Sequence, residues 1–156
     1  MSKEIERKFL VNSSIYKEMV SPEFYNQGYI STERGRTVRV RIQGETARLT
    51  IKGPSQGIMR DEFEYVIPTD EARYMLEHLC IQPTISKYRY KIPYKGFIWE
   101  VDEFLGDNQG LVVAEIELPS PDTSFEKPEW IGKEVSGDTR YFNSFLVRNP
   151  YKNWLK

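Results

Sequence analysis

The stretch Glu4-Ile5-Glu6-Arg7-Lys8-Phe9-Leu10-Val11 sets charged side chains at positions 4, 6 and 8, with Ile5 and Arg7 between them. A period of two is the signature of a β-strand, because successive side chains leave opposite faces of the pleat. The same alternation recurs in TVRVRI (Arg39, Arg41), ARLTIKG (Thr50, Lys52), EFEYVI (Glu62, Glu64), KYRYKI (Lys87, Arg89, Lys91), WEVDEF (Glu100, Asp102) and VAEIEL (Glu115, Glu117). A further strand is expected at 25–31, where the alternation is weaker.

Gln43-Gly44-Glu45 and Lys95-Gly96 stand between such segments in hairpin positions, so neighbouring strands are expected to run antiparallel. Three helices are predicted: about 12–20, Thr69 to Leu79 with Ala72, Met75, Leu76 and Leu79 as an apolar stripe, and about 138–147 after Gly137. Thr69-Asp70 and Asp138 are placed to cap the latter two.

At 156 residues, with 39% hydrophobic and 13% aromatic residues, the chain is expected to form one domain spanning 1–156. A net charge of -1 removes any global attraction to nucleic acid or to an anionic membrane, and no apolar run approaches the roughly 20 residues of a bilayer span. Cys80 is the only cysteine and the N-terminus lacks an apolar secretory core, so a cytoplasmic location is expected. The oligomeric state is left open, a homodimer included.

In an ordinary antiparallel sheet the charged face meets water. Here, however, the same-face positions come in like-charge pairs, which repel and raise the energy of an empty sheet. The alternative is a closed barrel of about eight strands with its apolar side outward beneath the helices and its charged side lining a lumen. Such a lumen would hold Glu4, Glu6, Glu62, Glu64, Glu100, Asp102, Glu115 and Glu117 beside Lys8, Arg39, Arg41, Lys52, Lys87 and Arg89. Two like charges about 4 Å apart cost about 4 kcal/mol at an effective dielectric near 20, so each cluster calls for a counter-charge. Carboxylate oxygens favour Mg²⁺ or Mn²⁺ over zinc. Forked arginine and point-charge lysine donors suit a linear polyphosphate, and metal beside phosphate points to phosphoryl transfer to water.

His78 and Cys80 have no second His or Cys with which to build a soft metal site or a nucleophile pair, and both are read as structural. Lys91 shares the Lys87 face but falls toward the end of its segment.

The ordered series Glu4-x-Glu6-x-Lys8, Arg39-x-Arg41, Lys52, Glu62-x-Glu64, Lys87-x-Arg89, Asp102 and Glu115-x-Glu117 resembles the CYTH superfamily, the triphosphate tunnel metalloenzymes, over Glu4 to about Asn143. The resemblance implies an α+β fold: an eight-stranded antiparallel tunnel with a few helices packed outside. It also implies that the six basic residues hold a triphosphate and the eight acids hold one or two divalent metals. Members hydrolyse inorganic triphosphate or thiamine triphosphate, or cyclise ATP as class IV adenylate cyclases. The opening EIERKFLV is most similar to the bacterial inorganic triphosphatases, in which a tyrosine and a KxR lysine are tied to hydrolysis; Tyr29 and Lys87 match them. A non-catalytic polyphosphate-binding module is the reading of another class, and it would not need the acidic pairs that this chain retains.

Overall fold

The computed structural model describes residues 3–154. Its strands are β1 (Lys3–Val11), β2 (Glu23–Glu33), β3 (Arg36–Gln43), β4 (Thr46–Lys52) and β5 (Met59–Ile67), then, after helix α1 (Thr69–His78), β6 (Ile85–Tyr94), β7 (Phe97–Phe104), β8 (Val112–Glu117) and β9 (Ile131–Glu134). A one-turn helix, α2 (Asn143–Leu146), follows. The strands pair in the order β5-β4-β3-β2-β6-β7-β8-β1, and β1 returns to β5 through Lys3↔Asp61, Glu4↔Arg60 and Ile5↔Met59. Eight antiparallel strands therefore close on themselves, as the charge pattern required.

Strand β9, absent from the sequence reading, adds to the end of β1 beyond that closure, at Phe9↔Glu134 and Val11↔Ile131. It is four residues long and includes Gly132, too short for a visible period. In the gap between β5 and β9 the β1 backbone is still satisfied: Glu6 N–H donates to the Ile58 carbonyl and Lys8 N–H to Ser136 Oγ. The β6–β7 turn places Lys95 and Gly96 both at positive φ, 47° and 86°, which matches the right-handed twist of the strands it joins.

The apolar face points outward and is covered on two sides. Ile5, Phe9, Trp99, Val101, Ala114 and Ile116 pack under Tyr16, Leu118, Trp130 and Ile131. On the far wall Ala72 and Leu76 of α1 pack on Val40, Ala47 and Cys80. Gly28 lets this second layer close, because a Cβ there would stand 2.8 Å from the Cys80 Cβ. A third cluster lies within the strands' inward register: Tyr29, Ile85, Phe104 and Val113 join Leu111, Leu146 and Val147 and fill one end of the lumen.

Two helix expectations are corrected. The 12–20 segment makes only a 3-10 turn at Ile15–Glu18, in which Tyr16 is the one buried side chain, and Pro22 lies four residues beyond it. The 138–147 segment is split into a 3-10 turn (Thr139–Tyr141) and α2 by Phe142, whose backbone is extended at φ -74°, ψ 133°. Asp138 caps its turn, accepting from the Arg140 N–H, whereas the Thr69 hydroxyl donates to the Glu45 carbonyl and caps nothing. Among the described residues no helix is long and apolar enough to cross a membrane.

Candidate active site

Because the lumen side of each strand carries its charged residues, barrel closure brings them around one cavity of about 210 Å³. Its wall includes Glu4, Glu6 and Lys8 from β1, Tyr29 from β2, and Arg39 and Arg41 from β3. Continuing round are Lys52 from β4, Glu62 and Glu64 from β5, Lys87 and Arg89 from β6, Glu100 from β7, and Glu115 and Glu117 from β8. Asp102 sits behind that wall at 1% exposure, its carboxylate gripped by Arg89 (Nε to Oδ1 2.7 Å, Nη2 to Oδ2 2.9 Å) and by Lys87 Nζ at 2.8 Å. Lys91 lies outside the cavity, half-exposed and 4.0 Å from Glu23.

Many of these charges neutralise one another. Lys8 Nζ donates to Glu115 at 2.7 Å and lies 3.6 Å from Glu6. Lys52 Nζ donates to Glu4 at 2.9 Å and stands 3.6 Å from Glu62. Although burial opposes it, Lys8 is held more basic than usual by Glu115 and Glu6, and Glu115 is held well below the carboxylate range by Lys8 and Arg89.

Two sets of charges are left over. On β1 and β8, Glu6 faces Glu117 in register. Burial and the nearby Glu115 push Glu6 up to about 7, while burial with Glu4 and Glu6 raises Glu117, which has no cation within 4 Å among the described residues. Across the barrel, on β3, Arg39 Nε is buried without a partner. Its Nη2 lies 3.6 Å from Glu64, whereas Arg41 has no ion pair among the described residues, and burial together with Arg39 and Arg89 lowers it to about 10. One wall is short of a cation and the opposite wall is short of an anion.

The carboxylate wall fits a divalent cation by charge and by donor type. No group of three His, Cys, Asp or Glu side chains among the described residues converges as a ready-made metal site, because Lys8 and Lys52 are drawn in among the acids.

Several lining residues escaped the sequence reading, and Thr50, which it set on the face of Lys52, was given no role there. Arg60 precedes Glu62 and Glu64 at the same period and could have been found by it. Thr50 Oγ1 donates to Glu64 at 2.9 Å and accepts from Arg39 at 3.2 Å. Asn143 Oδ1 accepts from Lys87 Nζ at 2.9 Å and from Gln27 Nε2 at 2.8 Å, a contact that no local pattern signals. Away from the lumen, His78 is exposed with its ring 4.5 Å from that of Tyr74, and buried Cys80 has its thiol pushed up to about 11 by desolvation. Neither belongs to a site.

Apolar outside and ionic inside, this closed antiparallel barrel defines a class of protein distinct from sheets that bury grease and expose charge. The CYTH domain matches residues 2–143, and the chain belongs to that family. It is 55% identical over 154 residues to an inorganic triphosphatase of Acetivibrio thermocellus, covering 99% of both chains. An inorganic triphosphatase of Nitrosomonas europaea is 35% identical over 149 residues, with 92% of this chain and 96% of that protein aligned. The crystal structure of the inorganic triphosphatase NE1496 superposes with a TM-score of 0.63 at 30% identity, over 92% of this chain and 96% of that one. A putative adenylate cyclase from Bacillus halodurans shares the fold at a TM-score of 0.61 and 21% identity, over 77% and 83% of the two chains.

Proposed function

We propose that this chain is a divalent-metal-dependent hydrolase of inorganic triphosphate, acting as one cytoplasmic domain on a small molecule held inside the barrel. The observation that carries the reading is the imbalance of charge across one lumen: Arg41, beside the unpartnered Nε of Arg39, on one wall, and Glu117, beside the raised carboxyl of Glu6, on the other. A triphosphate and its Mg²⁺ or Mn²⁺ would satisfy both at once. The two inorganic triphosphatases named above support the substrate class.

Arg39, Arg41, Arg89, Lys8 and Lys52 bind and align the phosphate chain; the guanidiniums offer forked donors, and the ammoniums offer point charges. Glu4, Glu6 and Glu117, with Glu62, Glu64, Glu100 and Glu115 around them, would hold the metal. When bound, the metal supplies charge neutralisation on the phosphate oxygens and acidifies a water. Asp102 serves Lys87 and Arg89. Lys87, lowered to about 8 chiefly by burial, is near enough to neutrality to take a proton from the attacking water. Tyr29, at the edge of the apolar end, lines the same region and orients that water. The water oxygen bonds to the terminal phosphorus and the bridging P–O bond breaks, yielding orthophosphate and diphosphate.

The test is a panel of triphosphate, ATP, thiamine triphosphate and pyrophosphate with Mg²⁺, with Mn²⁺ and with chelator. Phosphate release is expected fastest from triphosphate and absent with chelator. Cyclic AMP from ATP as the main product, or triphosphate bound but left intact whatever the metal, would overturn the reading.

A further inference from the structure

Tyr25 lies on β2, on the same face as Gln27 and Tyr29, and is 1% exposed. An arginine reaches its ring from each neighbouring strand: the Arg41 guanidinium carbon from β3 and the Arg89 guanidinium carbon from β6, each 4.9 Å from the ring centroid. The two are held very differently otherwise. Arg89 is forked onto Asp102, with Glu100 at 3.3 Å. Arg41 makes no hydrogen bond and no ion pair among the described residues, so the Tyr25 face is what holds it.

A carboxylate beside Arg41 would occupy the edge donors of the guanidinium and compete with an incoming phosphate. An aromatic face attracts the cation through its quadrupole and leaves the N–H edge free. It also offsets part of the repulsion between two arginines drawn to the same place. We propose that Tyr25 is a positioning residue for the anion site, its ring face holding Arg41 and steadying Arg89 while leaving the donors of Arg41 for polyphosphate. This deepens the triphosphatase reading and rests on it.

The experiment compares triphosphate affinity by calorimetry, and kcat and KM with Mg²⁺, in the unaltered protein, Tyr25→Phe, Tyr25→Leu and Tyr25→pentafluorophenylalanine. The fluorinated ring keeps nearly the same shape but loses its negative face, so a packing role alone would not register it. Tyr25→Phe is expected within about two-fold of the unaltered protein. The fluorinated variant is expected to raise Kd and KM about ten-fold, with kcat little changed, as is Tyr25→Leu where it folds. A fluorinated variant equal to Tyr25→Phe overturns the proposal, as does a Tyr25→Phe variant that loses affinity for want of the hydroxyl. If the unaltered protein binds no triphosphate, the functional reading itself falls and takes this inference with it; if it binds, only the Tyr25 role is at stake.

Discussion

The Lys87 ammonium lies 2.8 Å from Asp102 Oδ2, both side chains almost wholly buried, and the same carboxylate accepts two bonds from Arg89. One acid thus serves two cations. Burial pulls Lys87 down to about 8, and Asp102 keeps it from falling further. Asp102 itself remains ionised, because Arg89 and Lys87 outweigh its own burial.

If Lys87 accepts a proton from water, kcat rises with pH through about 8 and levels off above it. Asp102→Asn removes the anion that favours the ammonium, so the rise is expected to move to lower pH. A pH–rate profile of both proteins checks this. An unmoved limb assigns the titration to another group.

Glu6 and Glu117 face each other on β1 and β8 with more negative charge than their surroundings balance. Glu6→Gln or Glu117→Gln is expected to relieve that repulsion. A gain of about 1 kcal/mol would raise the Tm of the metal-free protein by about 2–4 °C, read by calorimetry. The same variants should need at least about ten-fold more Mg²⁺ for half-maximal rate, since a neutral amide is a poorer ligand. Unchanged metal dependence would remove these acids from the metal site.

Leu146, 1% exposed, packs from α2 onto Tyr29, Ile85 and Phe104 at the filled end of the lumen. Leu146→Ala should cost about 2–5 kcal/mol in chemical denaturation, the usual loss for emptying a buried leucine site. A cost under about 1 kcal/mol would mean that the C-terminal segment rests on the barrel without sealing it.

Arg7 and Glu134 tie β1 to β9 through two bonds of 2.8 and 2.6 Å. The hydrogen bond from Arg7 holds the Glu134 carboxyl below its usual range. Its folded pKa is depressed, so its stabilisation is full above the unfolded value near 4.5 and is lost as pH falls through the folded one. The pair is partly exposed, so Glu134→Gln should cost only about 0.2–1 kcal/mol at pH 7. Stability curves of the two proteins are expected to lie apart above the unfolded pKa near 4.5 and to converge as pH falls through the lower folded one.

The lumen residues were legible because strand periodicity is local: Glu4, Glu6 and Lys8 share a face whatever β1 pairs with, and like-charge pairs on several such faces demand an interior ligand. Arg60 was legible in the same way and was passed over. Helix extent was less so: the extended backbone of Phe142 splits the 138–147 segment, and the next residue, Asn143, accepts from Lys87 and Gln27. Nothing within a few residues of Asn143 encodes that contact.

The order of residues along this chain therefore determined which side chains face in, the antiparallel hairpins and the ionic character of the lumen. Only the closed barrel decided which charges meet: Lys8 pairs with Glu115 and Lys52 with Glu4, while Arg41 and Glu117 have no ion pair among the described residues. It also decided that one end of the lumen is apolar, through Leu146 and Val147. The reason is reach. Alternation is set by the backbone one residue at a time, whereas pairing of charges 48 or 107 positions apart depends on the stagger at which eight strands meet.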